Sequence, residues 1–165
     1  MAQKKTAMEY AILLLGLRAY STAELKKKLY AKEYSTAEIS QVIQECTRHG
    51  FLNDEHYAEN LAAAVYARGG GKRKAIQKLR TKGIDSELIK ETLAEKEDGN
   101  VMTELEAAAG ALSRKASAFA REPDPRKRRE KALRFLAGRG FSAQDRKSTR
   151  LNSSHRSLSR MPSSA

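Results

Sequence analysis

The sequence predicts an all-α protein assembled from stacked helical repeats. The first observation behind this is an element that occurs twice and begins a third time. LKKKLYAKEYSTAEI at Leu25–Ile39 is echoed by AIQKLRTKGIDSELI at Ala75–Ile89 and by ALRFLAGRGFSAQDR at Ala132–Arg146. Each copy holds an apolar-lined basic helix, a short turn, an apolar residue, a capping residue and the start of another helix. A period of about 50 residues points to stacked supersecondary units rather than one compact core. The second observation is composition. Ala, Leu, Lys and Glu are abundant while Val and Ile are scarce and Trp is absent, which favours helix over strand. The third is the tetrapeptide STAE, present at Ser21–Glu24 and again at Ser35–Glu38. Ser followed three residues later by Glu is a capping box, so helices are predicted to start at both sites.

The elements follow in order. A first helix is expected over about 6–19, then helices from Ser21 and Ser35. In the last of these, Ile39, Val42, Ile43 and Cys46 make one apolar stripe, and Gly50 ends it. In the next repeat, Asn53 or Asp54 caps a helix carrying Tyr57, Ala58, Leu61, Ala62 and Val65, which stops at Gly69–Gly71. A helix over about 72–81 presents Ile76 and Leu79. Gly83 and Ile84 turn the chain, and Asp85 caps a helix with Leu88, Ile89 and Leu93. Residues 94–103 read as a linker. An Ala-rich helix is expected over 105–119, and Asp124 with Pro125 makes an N-cap and first-turn pair for a basic helix reaching about Gly138. Gly140, Phe141 and Ser142 repeat the turn. There the pattern stops, because Arg146 and Arg150 take the core positions of the final helix. The predicted organisation is repeats over 1–50, 51–97 and 104–145, the last incomplete. Residues 146–165 are Ser/Arg-rich and aperiodic. That segment is expected to be disordered and resembles translated sequencing-adapter DNA, a non-native tail.

The formal net charge of +12 suggests a polyanionic partner. The 146–165 segment carries five of the basic residues and no acid, so setting it aside leaves 27 basic against 20 acidic residues, a net of +7. Cys46 is the single cysteine, which excludes a disulfide framework and fits a reducing compartment. The apolar run Ala11–Leu17 is too short for a membrane span, and Glu9 and the lack of a cleavage site argue against a signal peptide.

No constellation for catalysis is apparent. His49, His56 and His155 are isolated, Cys46 lies on an apolar stripe, and no metal-ligand spacing occurs. GGGKRK at Gly69–Lys74 lacks the ending of a phosphate loop and no strand precedes it. Asp54, Glu55 and Glu59 fall in a first helical turn, where they complement the helix dipole. No catalytic residue, metal or cofactor is therefore expected.

The basic residues are segregated. Arg68, Lys72, Arg73, Lys74, Lys78, Arg80 and Lys82 form a run without an acid, although residues 51–100 hold nine charges of each sign. Lys26, Lys27 and Lys28 occupy the matching helix of the first repeat, and Arg126, Lys127, Arg128 and Arg129 that of the third. Stacked repeats would place these helices along one side as a surface for a polyanion; the alternative is three solvated faces. The starts of the following helices, STAE and DSE, are acidic and poor in base-reading side chains, so sequence-specific readout is not expected.

The run AILLLGLRAYSTAELKKKLYAKEYSTAEISQVIQEC, the segment GFLNDEHYAENLA, the stretch ARGGGKRKAIQKLRTKGID and the closing ALRFLAGRGFS resemble, in this order, the RecX family of bacterial regulators of the RecA recombinase. The similarity spans about 7–142. It implies three tandem three-helix repeats in an elongated, curved molecule, acting as a cytoplasmic monomer without membrane attachment. It further implies binding in the groove of the RecA–DNA filament, with modulation, mostly inhibition, of RecA's ATP hydrolysis, strand exchange and stimulation of LexA cleavage, in DNA repair and the SOS response. Contact with single- or double-stranded DNA would be weak and non-specific. The departure from the family is the missing last helix of the third repeat. The competing reading is an autonomous helix-turn-helix DNA-binding protein.

Overall fold

A computed structural model of the protein describes residues 5–98 and 104–142. Among the described residues every regular element is a helix: α1 Ala7–Leu17, α2 Thr22–Tyr30, α3 Thr36–Arg48, α4 Asp54–Ala67, α5 Lys72–Thr81, α6 Ser86–Asp98, α7 Glu104–Ser113, α8 Ala116–Ala120 and α9 Pro125–Gly138. The expected failure of the pattern at Arg146 and Arg150, and the adapter-like tail, lie outside the described residues.

Local chemistry sets the helix starts. Thr6 and Glu9 form a full capping box on α1, as do Ser35 and Glu38 on α3. Asn53 caps α4, its side-chain oxygen accepting from the His56 N–H at 2.8 Å. Asp124 caps α9 through the Arg126 N–H at 2.8 Å, with Pro125 at the first helical position, where its missing N–H leaves no bond unmade.

The repeated turn has one geometry in all three copies. The N–H of Tyr34, Ile84 and Phe141 reaches back to the carbonyl of Leu29, Leu79 and Leu136, at 3.5, 3.1 and 3.2 Å. The residue before each lies in the left-handed region: Glu33 at φ 61°, Gly83 at 72° and Gly140 at 87°. This is the Schellman arrangement, which satisfies a terminal carbonyl and tucks an apolar residue under the helix end. Leu29, Leu79, Leu136, Ile84 and Phe141 are accordingly buried.

By packing, the chain forms two compact units, Met1–Leu61 with Lys78–Thr92 and Ala62–Gln77 with Leu93–Ala165, so α4, α5 and α6 each contribute to both. In the first unit α1, α2 and α3 pack mutually around Ala11, Leu14, Leu25, Leu29, Ile39, Val42 and Cys46. In the second, α7 and α8 pack on α9, and Ala107, Ala108, Ala111, Leu136 and Phe141 are buried.

Three expectations need correction. The stretch 94–103 is not a linker throughout, because α6 continues to Asp98. Ala94, Glu95, Lys96 and Glu97 are strong helix formers, and the first breaker is Gly99. The helix expected over 105–119 is two helices. It breaks at Arg114–Lys115, where the Lys115 N–H tightens onto the Leu112 carbonyl, and α8 then sets Phe119 edge-on to Phe135 at 5.6 Å. The box at Ser21 is half made. Ser21 accepts from the Glu24 N–H at 3.2 Å, but the Glu24 carboxylate is drawn elsewhere.

Candidate nucleic-acid interface

The start of α2 shows where that carboxylate goes. Lys82 Nζ lies 2.6 Å from Glu24 Oε1, Tyr57 Oη donates to Glu24 Oε2 at 3.0 Å, and Arg18 approaches at 3.4 Å. Arg18 has already left α1 in extended backbone, stacks on Tyr20 at 3.7 Å and so faces the start of α2. Desolvation alone would raise the Glu24 carboxyl; the hydrogen bonds from Lys82, Arg18 and Tyr57 outweigh it and hold it down at about 2. Burial, then the bond to Glu24, pushes Tyr57 up to about 12. The Ser21 hydroxyl, fully buried, donates to the Lys82 carbonyl, and Asp54 Oδ1 accepts from the Thr22 N–H at 2.8 Å. A Cβ added at Gly83 would run into Ala23 Cβ. The second repeat is thus keyed to the first at one polar node. Lys82, a residue of the expected basic surface, belongs to this node and is neutralised in place.

The start of α5 repeats the scheme in the other unit. The Lys72 N–H donates to Glu104 Oε1 at 2.8 Å, the Gly71 N–H to the Arg139 carbonyl at 2.9 Å and the Arg73 N–H to the Gly140 carbonyl at 3.1 Å. A Cβ at Gly71 would lie 2.5 Å from the Gly140 oxygen. Asp54 and Glu104 therefore play one part: each is the first residue of its helix and caps a helix 32 residues earlier. The glycine run is a docking seat, not a phosphate loop. The amides that would cradle an anion are already bonded to protein.

The remaining basic side chains divide by element. On α2, Leu25 and Leu29 face the core while Lys26, Lys27 and Lys28 are exposed. On α5, Ala75 and Leu79 are buried one turn apart, leaving Arg73, Lys74 and Arg80 exposed and Lys72 and Lys78 half-buried; Arg68 is exposed on the preceding turn. On α9, Arg126, Lys127, Arg128 and Arg129 are exposed, Arg128 bracing the loop before it through the Glu122 carbonyl at 3.0 Å. In the first unit the structure groups Lys26–Lys28 with Lys78, Arg80 and Lys82. In the second it groups Arg68, Lys72, Arg73 and Lys74 with Arg126–Arg129.

Sequence reasoning missed Arg114 and Arg139. The Arg139 guanidinium donates to the Arg68 carbonyl at 3.1 Å and stacks on Phe135 at 4.9 Å, and Arg114 borders Gly69. Arg139 carried a signal, since it precedes the turn glycine as Lys82 does. Arg114 carried none.

Groups of reactive type are placed for other work. Cys46 is buried, and desolvation followed by the neighbouring Glu45 pushes its thiol up, which disfavours a thiolate. His49 and His56 are exposed beside Glu45 and Glu59. No group of His, Cys, Asp and Glu among the described residues is arranged to hold a metal ion. Among the same residues no helix is long and apolar enough to cross a membrane.

Comparison with known proteins accounts for this architecture. Residues 7–46, 53–93 and 103–145 match the first, second and third three-helix domains of RecX. A regulatory protein RecX of Trichlorobacter lovleyi is 37% identical over 130 residues, 78% of this chain and 80% of that protein. One from Pelodictyon phaeoclathratiforme is 36% identical over 140 residues, 84% and 83% of the two chains. The crystal structure of RecX from Lactobacillus salivarius superposes with a TM-score of 0.78 at 19% identity, over 88% of this chain and 93% of that one, a likeness of fold. With three family domains in order and relatives of this closeness, the chain belongs to the RecX family of regulatory proteins.

Proposed function

We propose that this protein binds the RecA–DNA filament and restrains its ATP hydrolysis, strand exchange and LexA co-protease activity, acting as a non-catalytic cytoplasmic monomer. The observation that carries the reading is the distribution of unneutralised charge in a chain of this family. Lys26–Lys28, Arg73, Lys74, Arg80, Arg126, Lys127 and Arg129 are exposed with no acidic side chain at ion-pair distance among the described residues. All of them lie on α2, α5 or α9, the basic helix of each repeat. Phosphates along a filament attract such side chains without reading sequence, in a salt-dependent way.

The test is binding to RecA assembled on single-stranded DNA, measured against RecA alone and the same DNA alone. The expected result is tighter binding to the assembled filament than to either component. Equal affinity for bare DNA would instead favour an autonomous DNA-binding protein.

A further inference from the structure

Two arginines of the third repeat meet over the end of α4. The Arg139 guanidinium is fixed along one edge. Its Nη1 donates to the Arg68 carbonyl at 3.1 Å and to the Gly69 carbonyl at 3.4 Å, and the group stacks on Phe135 at 4.9 Å. The other edge, Nε with Nη2, has no acceptor among the described residues. Arg114 comes from the break between α7 and α8. Its Nη2 occupies the space a Cβ would take at Gly69, and its Nη1 lies 3.7 Å from a Cβ placed at Gly110. It is exposed, and its side chain has neither a hydrogen bond nor an acidic partner among the described residues. The bonds between them along Gly69 put the two guanidiniums at most about 10 Å apart. The Lys74 stem runs over the next residue, its Cδ 3.2 Å from a Cβ placed at Gly70. Glu104, the carboxylate seated at this junction, is engaged by the Lys72 N–H at 2.8 Å.

We infer, on the phosphate-binding side of the filament reading, that Arg139 and Arg114 together hold one backbone phosphate of a nucleic-acid strand. The contact is supplied by the third repeat and is separate from the exposed lysines of α2. The carbonyls at the end of α4 favour a cation there and account for Arg139, but Arg114 makes no bond to them. Like charges gathered in this way repel, and an anion between them relieves the repulsion. The chemistry of the free edge is specific. Nε and Nη2 form the planar fork that arginine uses to take two oxygens of one phosphate, and here the fork is held in place before any ligand arrives. Exposed Arg68, Arg73 and Lys74 flank the glycines and extend the positive charge, which suits a ligand of repeating charge rather than a single carboxylate.

The experiment titrates a single-stranded oligonucleotide with the full-length protein and with Arg114→Gln and Arg139→Lys variants over a range of salt, with inorganic phosphate as competitor at matched ionic strength. Thermal melting of each protein without ligand is recorded alongside. Arg114→Gln is expected to melt with wild type, to bind the oligonucleotide about fivefold more weakly and to lower the slope of log affinity against log salt by about one. Arg139→Lys keeps the charge and loses the fork, so affinity should fall about threefold or more at an unchanged slope. Oligonucleotide affinity unaltered in Arg114→Gln would overturn the inference, and a lowered melting temperature in that case would make Arg114 a brace for the helix end. Displacement of the oligonucleotide by millimolar inorganic phosphate would overturn it in favour of a free-phosphate site. Losses on RecA assembled on the same oligonucleotide, with none on the oligonucleotide itself, would overturn it in favour of a protein contact. Wild-type protein that binds this filament no more tightly than bare DNA would remove the filament reading, and the losses in the two variants on bare DNA would still establish the phosphate contact.

Discussion

Glu24 receives Lys82, Arg18 and Tyr57 at once, and these bonds stabilise its charged form. An ordinary glutamate titrates near 4.5, and here the folded value is about 2. Because the folded pKa is the lower, the stabilisation is complete above about 4.5 and is lost as pH falls toward 2. It amounts to on the order of 2–3 kcal/mol, given that the carboxylate is 18% exposed. Glu24→Gln should therefore melt lower than wild type at pH 7 and show a flatter loss of melting temperature between pH 4.5 and 2. Parallel pH profiles would contradict this. The sequence displayed the Ser21–Glu24 spacing faithfully, yet it could not show that the distant Tyr57 and Lys82, with Arg18, outbid the Ser21 backbone for the carboxylate. Lys82 sits 58 residues away, and no periodicity reports a pairing of that kind.

At the scale of the element, the repeated turn makes two opposite predictions. Gly83→Ala should destabilise by about 2–4 kcal/mol, from a left-handed backbone and a Cβ driven into Ala23. Glu33→Gly should stabilise by about 0.5–1 kcal/mol, since Glu33 holds the same left-handed conformation without glycine's freedom. Chemical denaturation of both variants checks the pair. Helix starts were legible because capping is local: Ser35, Asn53, Asp85 and Asp124 all act within three residues. The continuation of α6 through Asp98 was obscured by a charged surface without apolar periodicity, although its propensity was high. The break between α7 and α8 was not legible, because the contact of Phe119 with Phe135 that favours it is tertiary.

For the whole molecule, the repeat period disclosed the architecture, and the same period exposes how successive repeats are keyed. Asp54 reads in the sequence as a dipole-favouring residue of its own helix, and its action on α2, like that of Glu104 on α5, is a tertiary contact that no local pattern reports. The basic residues of the candidate surface were legible as a composition bias. Removing Lys82 from that surface, and adding Arg114 and Arg139, were not. Reversal of the middle patch by Arg73→Glu with Lys74→Glu should weaken oligonucleotide binding about tenfold or more and flatten its dependence on salt, measured as the slope of affinity against ionic strength. An unchanged slope would mark these residues as a solvated face.

The most direct measurement is RecA's DNA-dependent ATP hydrolysis with increasing amounts of the full-length protein. Inhibition is expected well below one molecule per RecA protomer, because a filament-bound modulator acts on an assembly. Hydrolysis unchanged at stoichiometric excess of folded protein would contradict it.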